Sequence, residues 1–212
     1  MTYQVTAYRW VPPFAQGYVR DLRVRWALEE AGLPYEAVFV DAGNIRDWQP
    51  FSQVPAYRDA GVQMFESGAI VLHIAEQSQA LAPRDAAGRA RVTTWVLAAL
   101  NSVEPYAQNL IHFGEVPEGN AWAVERHKQT EALAMKRLGA LSDWLGDKAW
   151  LEGDRFTAAD LIMTTVLREL VDSGVLARFP NLAAYRERGE ARPAFGRAME
   201  AQMATFRENA PG

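Results

Sequence analysis

Two short motifs between residues 53 and 70 have the residue types of a small-ligand site. The first is Gln53-Val54-Pro55, in which a proline stands directly before a predicted strand. The second is Glu66-Ser67, an acid and a hydroxyl where a later strand gives way to a helix. An acid and a hydroxyl at a helix start suit the two charged groups of a free amino acid. Together the motifs indicate a site for a small peptide-like ligand with a free amino acid end.

The elements around these motifs follow from hydrophobic periodicity and turn residues. Strands are predicted at residues 3–8, 35–40, 56–58 and 62–65, with helices at 19–31 and after Ser67, which fits an N-cap. Asp59-Ala60-Gly61 is typical of a tight hairpin. The order β-α-β-β-β-α predicts a small sheet with two helices able to cover one face.

The first helix has a clear apolar face and a clear end. Its apolar face carries Val19, Leu22 and Trp26, and Gly32 fits the position just after the last turn. The same periodicity places three arginines mostly off that face, Arg20, Arg23 and Arg25.

The chain changes character after about residue 77. Proline, glycine and polar residues predict a linker at 80–88, between an α/β domain at 1–79 and an all-helical domain at 89–212. Long helices are predicted at 90–113, 120–145 and 158–171, with shorter ones after Pro180 and Pro193. Pro105 predicts a kink near residues 101–105.

A complete capping signal starts one of the later helices. Thr157 fits the N-cap and Asp160 fits N3, which is the reciprocal pattern of a capping box, while Phe156 and Leu161 fit the hydrophobic staple. We therefore expect Asp160 to be structural and not catalytic.

Composition excludes several classes of function. The 212 residues include no cysteine, so disulfides, thiolate metal sites and a cysteine nucleophile are excluded. The net charge of -4, without a basic cluster, argues against nucleic-acid binding. His73, His112 and His127 have no metal-ligand spacing, so no metal is expected. The absence of an apolar run of ~20 residues and of a signal-peptide pattern predicts a cytoplasmic protein without a membrane partner.

The combination of motifs resembles the soluble glutathione transferases over nearly the whole chain. The resemblance is carried by Val54-Pro55, Phe65-Glu66-Ser67-Gly68-Ala69-Ile70 and Phe156-Thr157-Ala158-Ala159-Asp160, and by the first helix, Arg25 to Tyr35. It implies a thioredoxin-like N-terminal domain with a cis Pro55, an all-helical second domain and glutathione as co-substrate. Glutathione would contact Gln53, pair with the backbone of Val54, and place its ammonium at Glu66 and its carboxylate at Ser67.

The resemblance leaves the group that activates the glutathione thiol open. Alignment on the first helix puts Tyr18 where the family carries serine or cysteine, while a longer preceding loop would bring Tyr8 into the role. Backbone amides of residues 15–19 are the third candidate. Each would stabilise the thiolate by hydrogen bonding.

The family further implies a pocket for a small, apolar electrophile between the two domains, and a homodimer. Trp95, Asn101, Pro105 and Tyr106 of the long helix are candidates for this pocket, although core packing would explain an aromatic stripe equally well. Two other functions stay open: reduction of a peroxide or disulfide by bound glutathione, and glutathione binding without turnover.

Overall fold

The computed structural model describes residues 2–114 and 121–211, which form two compact units. One unit contains residues up to Asp85 together with Ala191–Gly212, and we call it unit 1; the other, unit 2, is Ala86–Glu190. The sequence placed residues 191–212 with the helical domain, whereas their contacts group them with the N-terminal residues. The predicted start of a helix at Asn120 lies outside the described residues.

Unit 1 contains a four-stranded mixed sheet in the order β2-β1-β3-β4. Its strands are β1 Tyr3–Ala7, β2 Tyr35–Phe39, β3 Ala56–Arg58 and β4 Gln63–Phe65. β1 runs parallel to β2 and antiparallel to β3, and β3 pairs with β4 through the predicted hairpin. This is the predicted thioredoxin-like arrangement.

Two helices of unit 1 pack against each other and against the sheet: α1, Asp21–Ala31, and α2, Ser67–Glu76. The side chains of Leu22, Val24 and Trp26 from α1 and of Ile70 and Ile74 from α2 are almost wholly buried. α1 ends as predicted at Gly32, whose φ of +67° is the left-handed conformation that glycine adopts readily. The two helices therefore fix the ends of the loops that precede them.

The hairpin between β3 and β4 is organised by Asp59. Its carboxylate accepts hydrogen bonds from the backbone N–H groups of Gly61 and Val62 and from the Tyr57 hydroxyl, and it contacts His73 Nε2 at 2.8 Å. Burial disfavours the charged form, but the hydrogen bonds from His73, Gly61, Val62 and Tyr57 together outweigh it and lower the pKa of Asp59 to about 2.

The last helix, α8, Pro193–Glu208, belongs to unit 1 because it packs along α1. The Phe195 ring meets the Trp26 ring edge-on, with centroids 4.9 Å apart. Arg192 binds the Glu30 carboxylate through two nitrogens, at 2.5 and 2.8 Å. An aromatic contact and a bidentate ion pair thus join segments that are more than 160 residues apart in the sequence.

The start of α1 is also held by α8. The Gln202 side-chain amide donates to the Val19 carbonyl at 3.1 Å and to the Asp21 carboxylate at 2.6 Å. Asp21 also accepts from Arg25 at 2.7 Å, and both side chains are buried. Burial raises the pKa of Asp21, and the Arg25 charge and these hydrogen bonds oppose that shift.

Unit 2 is helical, as predicted. Its helices are α3 Ala86–Ala98, α4 Glu104–Gly114, α5 Ala121–Leu145, α6 Ala158–Arg168 and α7 Pro180–Glu190. The predicted long helix is interrupted by π-helical residues Ala99–Val103. Pro105 has no N–H to donate to the carbonyl four residues earlier, and the turn before it departs from the α-helical pattern.

The capping box at the start of α6 is present, and Asp160 is the centre of a buried hydrogen-bond network. Its carboxylate accepts from Thr157 N at 2.9 Å, Leu151 N at 2.8 Å and the Tyr185 hydroxyl at 2.9 Å. Burial raises the pKa of Asp160, and the hydrogen bonds oppose that shift. These hydrogen bonds join the start of α6 to Leu151 and Tyr185, which fits the structural role expected for Asp160.

α6 and α7 approach each other closely at Gly189. A methyl group added at Gly189 would lie 2.4 Å from Thr164 Oγ1 and 2.7 Å from Thr164 Cγ2. Only a residue without a side chain fits there while Thr164 keeps its position.

Across residues 2–114 and 121–211, no helix is both long and apolar enough to cross a membrane. The same residues contain no group of three or more histidine, aspartate or glutamate side chains placed to hold a metal ion.

Candidate functional site

The five residues predicted to bind a ligand line one cavity of unit 1. These are Gln53, Val54, Pro55, Glu66 and Ser67. Four residues that the sequence did not single out for the site complete its lining, and they are Arg20, Gln49, Phe51 and Phe65.

Val54 and Pro55 enter the cavity just before β3 begins. The Val54–Pro55 peptide bond is cis. Immediately afterwards, the Ala56 N–H donates to the Thr6 hydroxyl on β1 at 2.7 Å, and β3 continues as a paired strand. The fold therefore fixes residues 54 and 55 beside the sheet, outside the part of β3 that pairs with β1 and β4.

Gln49 shapes the loop that leads to Gln53. Its buried side chain accepts from the Phe51 N–H at 2.8 Å and donates to the Gln53 carbonyl. Sequence reasoning missed Gln49 because it lies in an irregular segment, where no periodicity marks a side chain as buried.

Glu66, and not Ser67, is the N-cap residue of α2. The prediction that Ser67 is the N-cap is wrong by one residue, because Ser67 already has helical geometry. Glu66 has φ +70° and ψ 110°, a conformation that costs a residue with a side chain about 1–3 kcal/mol. This backbone lets the chain turn from β4 into α2 while the exposed carboxylate of Glu66 lines the cavity.

The side chain of Ser67 is hydrogen-bonded to Arg23 of α1. Arg23 Nη1 donates to Ser67 Oγ at 3.3 Å, and the two residues are only 2 % and 6 % exposed. The expectation that Arg23 and Arg25 lie mostly off the buried face of α1 is therefore wrong, because both are buried. The polar partner of Arg23 lies on α2, where helical periodicity does not reveal it, and the partner of Arg25 is Asp21, one turn earlier on α1.

Arg20 brings a positive charge to the same cavity that Glu66 lines with a negative one. It immediately precedes α1, as the residue that caps this helix. The sequence placed Arg20 near the start of the predicted helix at 19–31, and nothing there indicated that it lines a cavity. A cavity with an arginine, a glutamate and a serine at a helix start can bind both ends of a zwitterion.

The two tyrosines considered for thiol activation lie outside the cavity lining. Tyr8 is half-buried against the apolar cluster of Val40, Ile45 and Val54. Burial raises the pKa of the Tyr8 hydroxyl above the ordinary value for tyrosine. Tyr18 is 41 % exposed, in the loop before α1.

The backbone amides of residues 15–19 are partly engaged within their own loop. The Ala15, Gln16 and Tyr18 N–H groups donate to the carbonyls of Pro12, Pro13 and Ala15, at 2.9 to 3.2 Å. A thiolate would have to compete with these bonds to use the same amides. The activating group stays a prediction for all three candidates.

The residues predicted for the second substrate lie in unit 2. Trp95 donates its indole N–H to Glu152 at 3.1 Å and packs against Trp144. Asn101 lies in the π-helical segment and is exposed, and the Tyr106 hydroxyl accepts from Arg137 at 3.4 Å. Their role in substrate binding stays a prediction.

Comparison with known proteins gives the same family for both parts of the chain. Residues 5–76 match the glutathione S-transferase N-terminal domain model, and residues 118–193 match the C-terminal one. Relatives include the disulfide-bond oxidoreductase YfcG of Escherichia coli, 28% identical over 86% of this chain and 91% of that protein. Glutathione S-transferase 3 of Zea mays is 31% identical over 85% of this chain and 88% of that protein.

A solved glutathione transferase from Burkholderia graminis, with two glutathione molecules bound per subunit, superposes with a TM-score of 0.79. It is 25% identical in sequence, and the match covers 94% of this chain and 88% of that one. With both domain models matched and the sheet, helices and cavity in place, this chain belongs to the glutathione S-transferase family.

Proposed function

We propose that unit 1 binds glutathione in the cavity between Gln53 and Ser67. The observation that supports this proposal most directly is that Arg20, Glu66 and Ser67 line the same cavity as residues 54 and 55. The γ-glutamyl end of glutathione has an ammonium and a carboxylate, which suit Glu66 on one side and Arg20 with Ser67 on the other. Val54 would pair with the cysteinyl backbone in the manner of an added strand.

The proposed reaction is the addition of the glutathione thiolate to an electrophilic, apolar substrate. A free thiol has a pKa of about 8.5, so a hydrogen-bond donor near the sulfur is needed to hold the thiolate at neutral pH. The hydroxyls of Tyr18 and Tyr8 are the side-chain candidates for this donor.

Calorimetric titration with glutathione tests the binding site. We expect wild-type protein to bind, and Ser67→Ala to weaken binding by about 1–3 kcal/mol because a charged carboxylate loses a partner. Ser78→Ala is the control, since Ser78 lies after α2 and bonds the Ala80 N–H. Equal affinity for Ser67→Ala and wild type would exclude the proposed site.

Turnover of a chlorinated nitrobenzene with glutathione tests the transfer reaction. The same samples give the pKa of the bound thiol from the ultraviolet absorbance of its thiolate. Binding with an unshifted thiol pKa and no turnover would instead support a glutathione-binding protein without catalysis.

A second candidate function is disulfide reduction by bound glutathione. It is favoured by the relative named as a disulfide-bond oxidoreductase and by the absence of cysteine, which leaves glutathione as the source of the thiol. Faster turnover of hydroxyethyl disulfide or of a peroxide than of the chlorinated aromatic would favour this function over transfer.

A homodimer in the cytoplasm is part of the proposal. Phe51 supports the homodimer, because an exposed apolar side chain is typical of a protein–protein contact. Its ring is 66 % exposed at the cavity rim and lies against Phe65. Sedimentation equilibrium should give about twice the chain mass of 23.7 kDa. We expect Phe51→Lys, but not Phe14→Lys at another exposed ring, to lower that mass.

A further inference from the structure

A buried cation lies directly beneath the hydroxyl proposed to bind the glutathione carboxylate. Arg23 on α1 is 2 % exposed, and its Nη1 contacts Ser67 Oγ on α2 at 3.3 Å. A buried charge is costly unless polar groups surround it, so Arg23 belongs to a defined polar arrangement between the two helices. Arg23 is outside the cavity lining, whereas Ser67 is part of it.

The direction of this hydrogen bond determines what Ser67 can do. A guanidinium has five N–H donors and no acceptor, so Ser67 Oγ must be the acceptor. The single hydroxyl hydrogen of Ser67 then points away from Arg23. Because Ser67 is the first residue of α2 and lines the cavity, that hydrogen can be donated to an anion bound there.

We propose that Arg23 is a positioning residue that prepares Ser67 to bind the α-carboxylate of the γ-glutamyl group. Its hydrogen bond holds the Ser67 side chain in one orientation and polarises the O–H group, which strengthens the hydrogen bond that Ser67 donates. The positive charge of Arg23 adds to the positive potential at the start of α2. This inference rests on the proposed binding of glutathione.

A double-mutant cycle separates action through Ser67 from a general effect on folding. The proteins are wild type, Arg23→Met, Ser67→Ala and the double variant, each titrated with glutathione by calorimetry. We expect Arg23→Met to weaken binding five- to twenty-fold in the wild-type background and less than two-fold in the Ser67→Ala background. Arg23→Lys, which keeps the charge, should restore part of the affinity.

Arg25→Met is the matched control, because Arg25 is a second buried arginine on α1 whose carboxylate partner is Asp21. We expect Arg25→Met to lower the melting temperature. Any weakening of glutathione binding should be by the same factor in the wild-type and Ser67→Ala backgrounds. If Arg23→Met does not fold, Arg23→Gln keeps an N–H donor without the charge and takes its place in the cycle.

A ligand without the carboxylate gives an independent readout. In 4-aminobutyryl-cysteinyl-glycine a hydrogen replaces the α-carboxylate of the γ-glutamyl group. We expect wild type and Arg23→Met to bind this analogue with equal affinity. A purely structural role of Arg23 would weaken binding of both ligands alike.

The outcomes distinguish this inference from the proposed function. Equal losses from Arg23→Met in both Ser67 backgrounds, or for both ligands, would overturn the role of Arg23 while glutathione binding stands. Wild-type protein that does not bind glutathione would overturn the proposed function itself.

Discussion

Glu66 combines a charged side chain with an unfavourable backbone conformation. We expect Glu66→Gly to raise the free energy of unfolding by about 1 kcal/mol, because glycine adopts φ +70° without a steric cost. The same change should weaken glutathione binding at least ten-fold, since the ammonium group loses its carboxylate partner. Urea unfolding and calorimetric titration measure the two effects.

Ser52 provides the control for Glu66, because it is the other non-glycine residue with positive φ among the described residues, at 56°, and lies outside the cavity lining. Ser52→Gly should stabilise the protein by a similar amount and leave glutathione affinity unchanged. Loss of affinity in both variants would mean that loop rigidity, and not the Glu66 charge, determines binding.

The pKa of the thiol of bound glutathione distinguishes Tyr18 from Tyr8 as the activating residue. If the hydroxyl of one residue stabilises the thiolate, its replacement by phenylalanine should raise the thiol pKa by about one unit, equivalent to about 1.4 kcal/mol. The other replacement should leave the thiol pKa unchanged and serves as the control. Ultraviolet thiolate absorbance against pH gives both values. An unchanged pKa in both variants would assign the role to backbone amides.

Asp59 should make the stability of the protein depend on pH in the acid range. Its pKa is lowered to about 2 from an ordinary 3.8, so the charged carboxylate stabilises the folded state above pH 4. That stabilisation is lost as the pH falls from about 4 to 2. Asp59→Asn should be less stable than wild type at neutral pH, with a difference that shrinks over this range in denaturant unfolding. A constant difference would contradict the assignment.

At the residue scale, the sequence predicted those cavity-lining residues that belong to local motifs. Val54-Pro55 and Glu66-Ser67 are recognisable because a turn or a strand-to-helix step requires particular residue types. Arg23 and Gln49 could not be assigned in this way. Arg23 has its partner, Ser67, in a distant part of the sequence. Gln49 lies in a loop, where no periodicity marks a side chain as buried.

At the scale of elements, the close packing of α6 on α7 depends on Gly189. Gly189→Ala should lower the free energy of unfolding by about 1–3 kcal/mol, because the new methyl group overlaps Thr164. Thr164→Ala in the same chain should recover part of the loss. Guanidinium unfolding of the single and double variants measures both effects.

Gly196→Ala is the matched control, since nothing lies within 4 Å of a methyl group placed there in α8. Alanine has a higher helix propensity than glycine, so this variant should be more stable by about 0.5–1 kcal/mol. A Gly189→Ala protein as stable as Gly196→Ala would show that α6 and α7 can move apart without cost.

Most elements were predictable because their signals are local. The hairpin at Asp59, the end of α1 at Gly32 and the capping box at Thr157 each depend on a few consecutive residues. The sequence predicted a kink near Pro105 but not the π-helical residues Ala99–Val103 that precede this proline. Proline removes a hydrogen bond, and the packing of the neighbouring turns decides how the helix adjusts.

At the scale of the whole molecule, unit 1 should depend on the C-terminal helix for its stability. Phe195 is buried against Trp26, so Phe195→Ala should lower the free energy of unfolding by about 3–5 kcal/mol. Phe14→Ala is the control, because its ring is 83 % exposed and its loss should cost less than about 0.5 kcal/mol. Circular dichroism in denaturant measures both. Equal stability of the two variants would contradict the grouping of α8 with unit 1.

The placement of α8 was the largest feature that the sequence did not predict. Its composition is that of an ordinary amphipathic helix, and nothing in it indicates which distant segment covers its apolar face. The structure identifies α1 as the partner, through contacts such as the bonds from Arg192 to Glu30 and from Gln202 to Asp21.

The discontinuity of unit 1 has a consequence for how the protein is made. A ribosome adds roughly 5–20 residues per second, so α8 is synthesised about 6–26 seconds after the β-sheet and α2. Throughout that interval α1 lacks two contacts with α8, the packing of Phe195 on Trp26 and the hydrogen bond from Gln202 to Asp21. The ligand cavity therefore reaches its final form only after unit 2 has been translated, and nascent chains ending at residue 190 should capture glutathione poorly.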